Sequence, residues 1–431
     1  MIFISTILLY FKVKCPVGCT YCFEKPTDIT DYDLGKMLEA LETIFNPNDT
    51  ICLHGGEVCT LPINDLEFIL RKVRKFLTDR NVNSSISLQT SLYGFTNKHL
   101  NLFKKYNVSP GISVDGPSEL NILRGPKDPD KNKEYQINLE KSLQMLKDNN
   151  FHCGHIAVLT KANVGTDEKL DKFIEWAITT NFNGRMNPMF VPLWSASEIK
   201  DYALTPTELT NVWLKLADVC INNKNLMWNP FREFIDNLLG QFHLSPCIIA
   251  RCDYLTTTCK TIMGDGSLAR CDRCFQEGYY GRGSQRNFVR SSVLKDTECD
   301  KCKFFEICGG GCPGEGENGD ARHKTYYCES YYAVYEYLEN KLRGLMPNIT
   351  LSIDEQNYFK EYDQQNKRLN FTKNFGNGTW RTPPKKCGCY SEKNINNINN
   401  NNKKAQPKPH SDHYDDNHIN NIYGKPHGDS N

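Results

Sequence analysis

The chain has 431 residues, 52 basic against 51 acidic side chains and a hydrophobic content of 39%, a length that leaves room for two or three domains. A net charge of +1 excludes the basic footprint of a nucleic-acid binder and the charge bias of a membrane-surface protein. Nineteen cysteines in so long a chain argue against a small secreted disulfide scaffold; reduced, metal-binding cysteines in an anaerobic cytoplasm are expected instead.

The apolar run at residues 2–11 is too short to span a bilayer. It lacks the charged lead and small-residue cleavage site of a signal peptide, so it reads as a buried strand over 1–14. In chain order the periodicity then predicts a helix at 33–45, a strand at 50–53, a helix at 66–77, a strand at 84–89 and a helix at 97–106. A strand at 108–114, a helix at 134–149, a strand at 155–159, a helix at 167–179, a strand at 185–191 and a helix at 207–222 follow. Six strand–helix alternations imply α/β architecture with a parallel sheet and crossover helices. Functional residues of such sheets gather at the carboxyl ends of the strands. Three loops fall there: the run from Cys15 to Cys22, the turn His54-Gly55-Gly56-Glu57, and the run from Ser113 to Pro117.

Cys15, Cys19 and Cys22 are spaced C-x3-C-x2-C. Three thiolates this close can grip three corners of a cubane cluster and leave the fourth iron open to a small chelating molecule. A zinc site wants four ligands in pairs, and this triad has no close fourth partner. With Tyr21 just before the last cysteine, the pattern resembles the radical S-adenosylmethionine (SAM) family. The resemblance implies an open (β/α)6 partial barrel over residues 1–225. It also implies a [4Fe–4S] cluster whose open iron chelates SAM and whose electron cleaves it to a 5′-deoxyadenosyl radical. It further assigns Gly55, Gly56 and Glu57 to the SAM amino group, Ser113 and Asp115 to the ribose, and Arg124 to the carboxylate. Gln89 and Ser91 are placed in the same pocket, and Leu159 against the adenine. A loop salt bridge is the alternative for Arg124, and a core position is the alternative for Leu159.

Residues 246–328 have ten cysteines, interspersed glycines and poor apolar periodicity, so metal is expected to hold the segment together. Cys299, Cys302, Cys308 and Cys312 are spaced C-x2-C-x5-C-x3-C, with Cys328 after them; upstream, Cys252, Gly266 and Cys271 are separated by 13 and then four residues. This resembles the Cys-rich SPASM extension of radical SAM enzymes, here at residues 226–345 with a bridging region and terminal helix. The resemblance implies two auxiliary [4Fe–4S] clusters, making three in all. Cys299, Cys302, Cys308 and Cys328 would hold the outer one. Cys252, Cys271 and Cys312 would hold the inner one, with Cys259, Cys247 or Cys274 as its fourth ligand. Asp272 stands where anaerobic sulfatase-maturating enzymes have a proposed base; a solvent-exposed turn aspartate is the alternative. The tyrosines from 326 to 337 read as packing of a terminal helix on the barrel. Residues 346–431, Asn-rich and polar, read as a disordered tail.

The expected function is radical modification of a peptide or protein substrate, first as ribosomal-peptide maturation by thioether or carbon–carbon crosslinking. Formylglycine formation on a sulfatase is the second reading and a multi-cluster electron-transfer protein the third. An electron donor such as flavodoxin or ferredoxin is an expected partner. Only 14 residues precede Cys15, which counts against a crosslinking enzyme unless a separate leader-binding protein serves it or the chain is truncated.

Overall fold

Alternate apolar side chains along short β-branched and leucine-rich segments decide the architecture, which a computed structural model describes for residues 6–22, 30–190, 201–223, 225–241, 259–269 and 284–354. At 259 and 284–289 the description covers the backbone alone. Strands β1 (Thr6–Tyr10), β2 (Thr50–His54), β3 (Ile86–Thr90), β4 (Val108–Ser113), β5 (Gly154–Leu159) and β6 (Gly184–Pro188) lie side by side in that order, all parallel. Between them run α1 (Leu34–Ile44), α2 (Ile63–Thr78), α3 (Asn97–Lys105), α4 (Pro129–Asp148), the single turn α5 (Lys161–Val164) and α6 (Asp167–Thr179). Ile7, Leu9, Ile51, Leu53, Ile86, Leu88, Ala157, Leu159 and Met186 form one continuous core with the helices. Successive strand residues point to opposite faces, so Tyr10, His54, Gln89, Ser113, Val158 and Asn187 occupy the other, inner face. Among the described residues the sheet does not close, its edge strands being Trp228–Asn229 and Leu268–Ala269, which makes it the open partial barrel expected from the sequence.

Local chemistry sets the boundaries. The Asp33 carboxylate accepts from Lys36 N (3.1 Å) and starts α1. Asn81, Asn107, Asn150 and Asn181 follow α2, α3, α4 and α6 with φ of 57°, 51°, 49° and 53°, the left-handed stop that asparagine tolerates. Helix α4 begins five residues before the periodicity suggests, because Asp128 caps it and Pro129 is pre-set for the first helical position. Helix α2 likewise starts at Ile63, directly behind Pro62.

The Cys-rich stretch adds to this sheet. Strand β8 (Cys259–Met263) pairs parallel with β1 along its whole length, Thr6 opposite Cys259 and Tyr10 opposite Met263. The two-residue β9 (Leu268–Ala269) turns back antiparallel on β8, and at the other edge β7 (Trp228–Asn229) pairs with β6. Gly266 makes the β8–β9 turn at φ +84°, and a Cβ there would lie 2.8 Å from Lys36 Cβ; only glycine lets the hairpin seat on α1. The helices Pro206–Asn222, Phe231–Leu238 and Cys328–Leu345 pack together through aromatic rings. Trp213 stacks on Tyr331 at 5.4 Å, and Phe234 meets Tyr335 edge-on at 4.6 Å. The tyrosine run thus does dock a terminal helix, with Tyr326 and Tyr332 left exposed. Among the described residues no helix is long and apolar enough to cross a membrane. The expected disorder of the tail beyond residue 354 falls outside the described residues.

Strand β8 is also fastened by charge. The Lys260 ammonium donates to Ile44 O (2.9 Å) and Asp49 Oδ2 (3.1 Å), and Asp49 is buried. Removing the cation strands a buried carboxylate. Lys260→Met is expected to cost about 2–4 kcal/mol of unfolding free energy, measured by anaerobic denaturant titration.

Candidate active site

The cysteine loop leaves β1 and bends around Gly18. Cys22 N donates to Cys19 O (3.1 Å), and Thr20 N to Leu123 O (2.9 Å), which ties the loop to the segment after β4. Cys15 and Cys19 are partly buried and Cys22 is exposed. Burial pushes the Cys15 thiol up to about 11 and raises Cys19 as well, the latter opposed by the Arg124 guanidinium. Such thiols ionise when a cationic centre takes the charge, which fits an iron–sulfur cluster. Among the described residues no three His, Cys, Asp or Glu side chains converge as they would on a single ion. A cubane does not require that, because each thiolate binds a different iron.

The Gly55–Gly56 turn crosses directly over the start of this loop. A Cβ on Gly55 would sit 2.3 Å from Phe11 O, and one on Gly56 2.1 Å from Val13 O, both at positive φ. The glycine pair is therefore required by close backbone approach, as the sequence suggested. Glu57 is buried and held within the protein. Its Oε1 accepts from Cys59 N (3.1 Å) and Thr90 Oγ1 (2.7 Å), and its Oε2 from Ser91 N (2.7 Å) and Ser91 Oγ (2.5 Å). Burial raises its carboxyl above the usual range, against the pull of these four donors.

Asp115, at the carboxyl end of β4, gathers three elements. Its Oδ1 accepts from Arg124 (2.9 Å) and from Val158 N (2.8 Å) on β5, and its Oδ2 from the Tyr21 hydroxyl. The Arg124 guanidinium also lies over the Tyr21 ring, 5.4 Å from its centroid. Both members of the Arg124–Asp115 pair are more than nine-tenths buried, and Arg124 Nε has no hydrogen-bond partner. Gln89 and Ser113 adjoin on the inner face, Gln89 Nε2 donating to Ser113 Oγ (2.6 Å). Leu159 is a correction. It is fully buried on the helix-facing side of β5, while Val158 packs towards Tyr21 and Met189; the core alternative holds for this leucine.

The cysteine loop and the glycine turn border a cleft of about 1390 Å³ lined by Cys15, Cys19, Cys22, Gly56, Tyr93 and Met263, among others. Ordinary small-molecule pockets span roughly 300–1,000 Å³, so the cleft has room for more than one nucleoside-sized ligand. Met263 and Asp265 place the β8–β9 turn on its rim.

Farther along, Cys299, Cys302, Cys308 and Cys328 come close together, and their mutual repulsion adds to burial in raising Cys299, Cys308 and Cys328. Burial first, then Cys328 and Cys302, push Cys299 up to about 11 and Cys308 up to about 12. Cys312 is buried. Arg290 staples the glycine loop beside them, donating to Gly310 O (3.0 Å), Gly311 O (3.2 Å) and His323 O (2.6 Å). Cys247, Cys252, Cys271, Asp272 and Cys274 lie outside the described residues, as does the side chain of Cys259. Sequence reasoning missed Arg290, Thr90, Tyr135 and Asn163. Asn163 donates to Asp115 O and Val158 O, both at 2.9 Å; its only local signal is a capping box with Thr160.

Residues 9–177 match the family model described as the Radical SAM superfamily. A cysteine-type anaerobic sulfatase-maturating enzyme of Clostridium novyi (strain NT) is 26% identical over 361 residues, covering 76% of this chain and 93% of its own. A serine-type anaerobic sulfatase-maturating enzyme of Bacteroides thetaiotaomicron is 22% identical, covering 77% and 89%. A solved structure described as native anSMEcpe with bound AdoMet and Cp18Cys peptide superimposes with a TM-score of 0.67 at 21% identity, over 80% of this chain and 99% of that one; it shares the fold.

The buried ion pair makes a stability prediction. Arg124→Met leaves Asp115 charged and buried, so the cofactor-free protein is expected to lose about 3–5 kcal/mol, read by urea unfolding under anaerobic conditions.

Proposed function

From residues 9–177 as a radical SAM domain, we propose that this enzyme oxidises the side chain of a cysteine or serine in a peptide segment of a sulfatase to the aldehyde of formylglycine. The meeting of the cysteine loop with the glycine turn at one cleft, with Cys19 beside the buried Asp115–Arg124–Tyr21 group, carries the radical reading. Relatives aligned over some nine-tenths of their own length favour sulfatase maturation over peptide crosslinking, reversing the order that the sequence alone suggested.

Cys15, Cys19 and Cys22 would hold three irons of a [4Fe–4S] cluster, and Arg124, with its unpartnered Nε, would meet the SAM carboxylate. The Gly55–Gly56 turn borders the amino-group side, and Gln89 and Ser113 the ribose side. Bound and reduced by an outside donor, the cluster and SAM supply a 5′-deoxyadenosyl radical that takes a hydrogen atom from the substrate. Tyr21 closes the site beside Asp115 and keeps Arg124 aligned. Cys299, Cys302, Cys308 and Cys328 would hold an outer auxiliary cluster. Cys312, with Cys252 and Cys271, would hold an inner one completed by Cys259, Cys247 or Cys274. Asp272 is the residue assigned to take the substrate proton, with the second electron passing to the inner cluster; from a cysteine, water would then displace sulfide to leave the aldehyde.

The test is anaerobic reconstitution with SAM, reductant and a peptide carrying a sulfatase's active-site cysteine or serine. About twelve irons per chain are expected for three cubanes, with 5′-deoxyadenosine and peptide aldehyde formed together. Alanine at Cys15, Cys19 and Cys22 should abolish both products. SAM cleavage with no aldehyde on either peptide, and a crosslink in a Cys-rich precursor instead, would replace this reading.

A further inference from the structure

The carboxylate of Glu57 has about four lone-pair directions, and four protein donors take them. Two of those donors belong to Ser91 and one to Thr90, at the end of β3. The chain there is strained: Leu92 is buried with φ +59°, a conformation that a leucine adopts only when its surroundings impose it. Three contacts impose it. Glu57 holds Ser91 N and Oγ, Thr90 Oγ1 accepts from Leu92 N (2.9 Å), and the Tyr135 hydroxyl donates to Ser91 O (3.0 Å). The next residue, Tyr93, stacks on Tyr135 with centroids 5.9 Å apart and lines the cleft together with Lys131, Met263 and Cys22.

We propose that Glu57 is a positioning residue that, with Tyr135, locks the left-handed Ser91–Leu92 turn and so sets the Tyr93 ring into the cleft wall as a contact for the peptide substrate. This rests on the peptide-modifying reading above. It takes the Glu57 side chain away from the SAM ammonium, leaving that group to the glycine turn. Tyrosine suits a peptide wall because it offers a large rigid face at small entropic cost.

The experiment uses reconstituted holoenzyme. Amide hydrogen exchange followed by mass spectrometry reads the turn without any substrate, and peptide KM and kcat read the wall. Glu57→Gln replaces one acceptor oxygen by an NH2 donor, which must face either Cys59 N or Ser91 N. It is expected to speed exchange at residues 90–93 by about tenfold or more and to raise the KM for the sulfatase-type peptide. Tyr93→Ala should raise that KM by about tenfold, and Tyr93→Phe should stay within about twofold of wild type because the ring makes the contact. If Glu57→Gln does not fold, Thr90→Val removes one donor and should still speed exchange in the turn. Unchanged exchange together with weakened SAM binding in Glu57→Gln would overturn the positioning role, and an unchanged peptide KM in Tyr93→Ala would overturn the wall. A wild-type enzyme that makes no aldehyde defeats the proposed function separately, because the exchange measurement does not involve peptide.

Discussion

One buried carboxylate organises the mouth of this barrel. Asp115 receives a guanidinium, a phenol and a backbone amide from three different parts of the chain, and its own backbone is held by Asn121 and Asn163. A charge in that position is tolerable only with its partners in place. The position of Tyr21, and with it the second half of the cysteine loop, is therefore coupled to the ends of β4 and β5. A loop of glycine, threonine and cysteine would otherwise have little to hold it, and a cluster needs ligands already near their final places.

The glycine turn does the complementary task for the first half of the loop. Its backbone passes so close to Phe11 and Val13 that no side chain fits. Loop and turn therefore constrain each other sterically on one side, while Asp115 constrains the loop electrostatically on the other. The cysteine loop sits between a steric clamp and a charged one, and both are assembled by β-strand register.

Much of this was legible in the sequence because it depends on short-range spacing. The cysteine triad, the Gly-Gly pair and the helix faces of α1 and α6 all have periods of a few residues. The rest depends on partners far away in the chain. No local pattern says that Asp115 binds Tyr21, 94 residues earlier, or that Glu57 spends its carboxylate on Thr90 and Ser91. The inward or outward sense of Leu159 turns on a one-residue phase that a continuous apolar strand does not reveal. The addition of β8 to β1 was equally invisible, since Cys-Lys-Thr-Ile-Met carries no signal of which edge it will join. Asn163, a residue with no obvious chemistry, turned out to tie Asp115 to β5.

The pairing of β8 with β1 has a consequence for biogenesis. Strand β1 leaves the ribosome well before its neighbour on the outer side, which lies roughly 250 residues further along the chain. At about 5–20 residues per second, that edge waits on the order of ten to fifty seconds with its backbone donors and acceptors unpaired. Exposed edges of this kind recruit other strands. During the same interval the cysteine loop at the end of β1 is open on the side that the β8–β9 hairpin later borders. The order of synthesis thus leaves the cysteine loop a window of easy access, and it gives the nascent chain a period of vulnerability that closes when β8 docks.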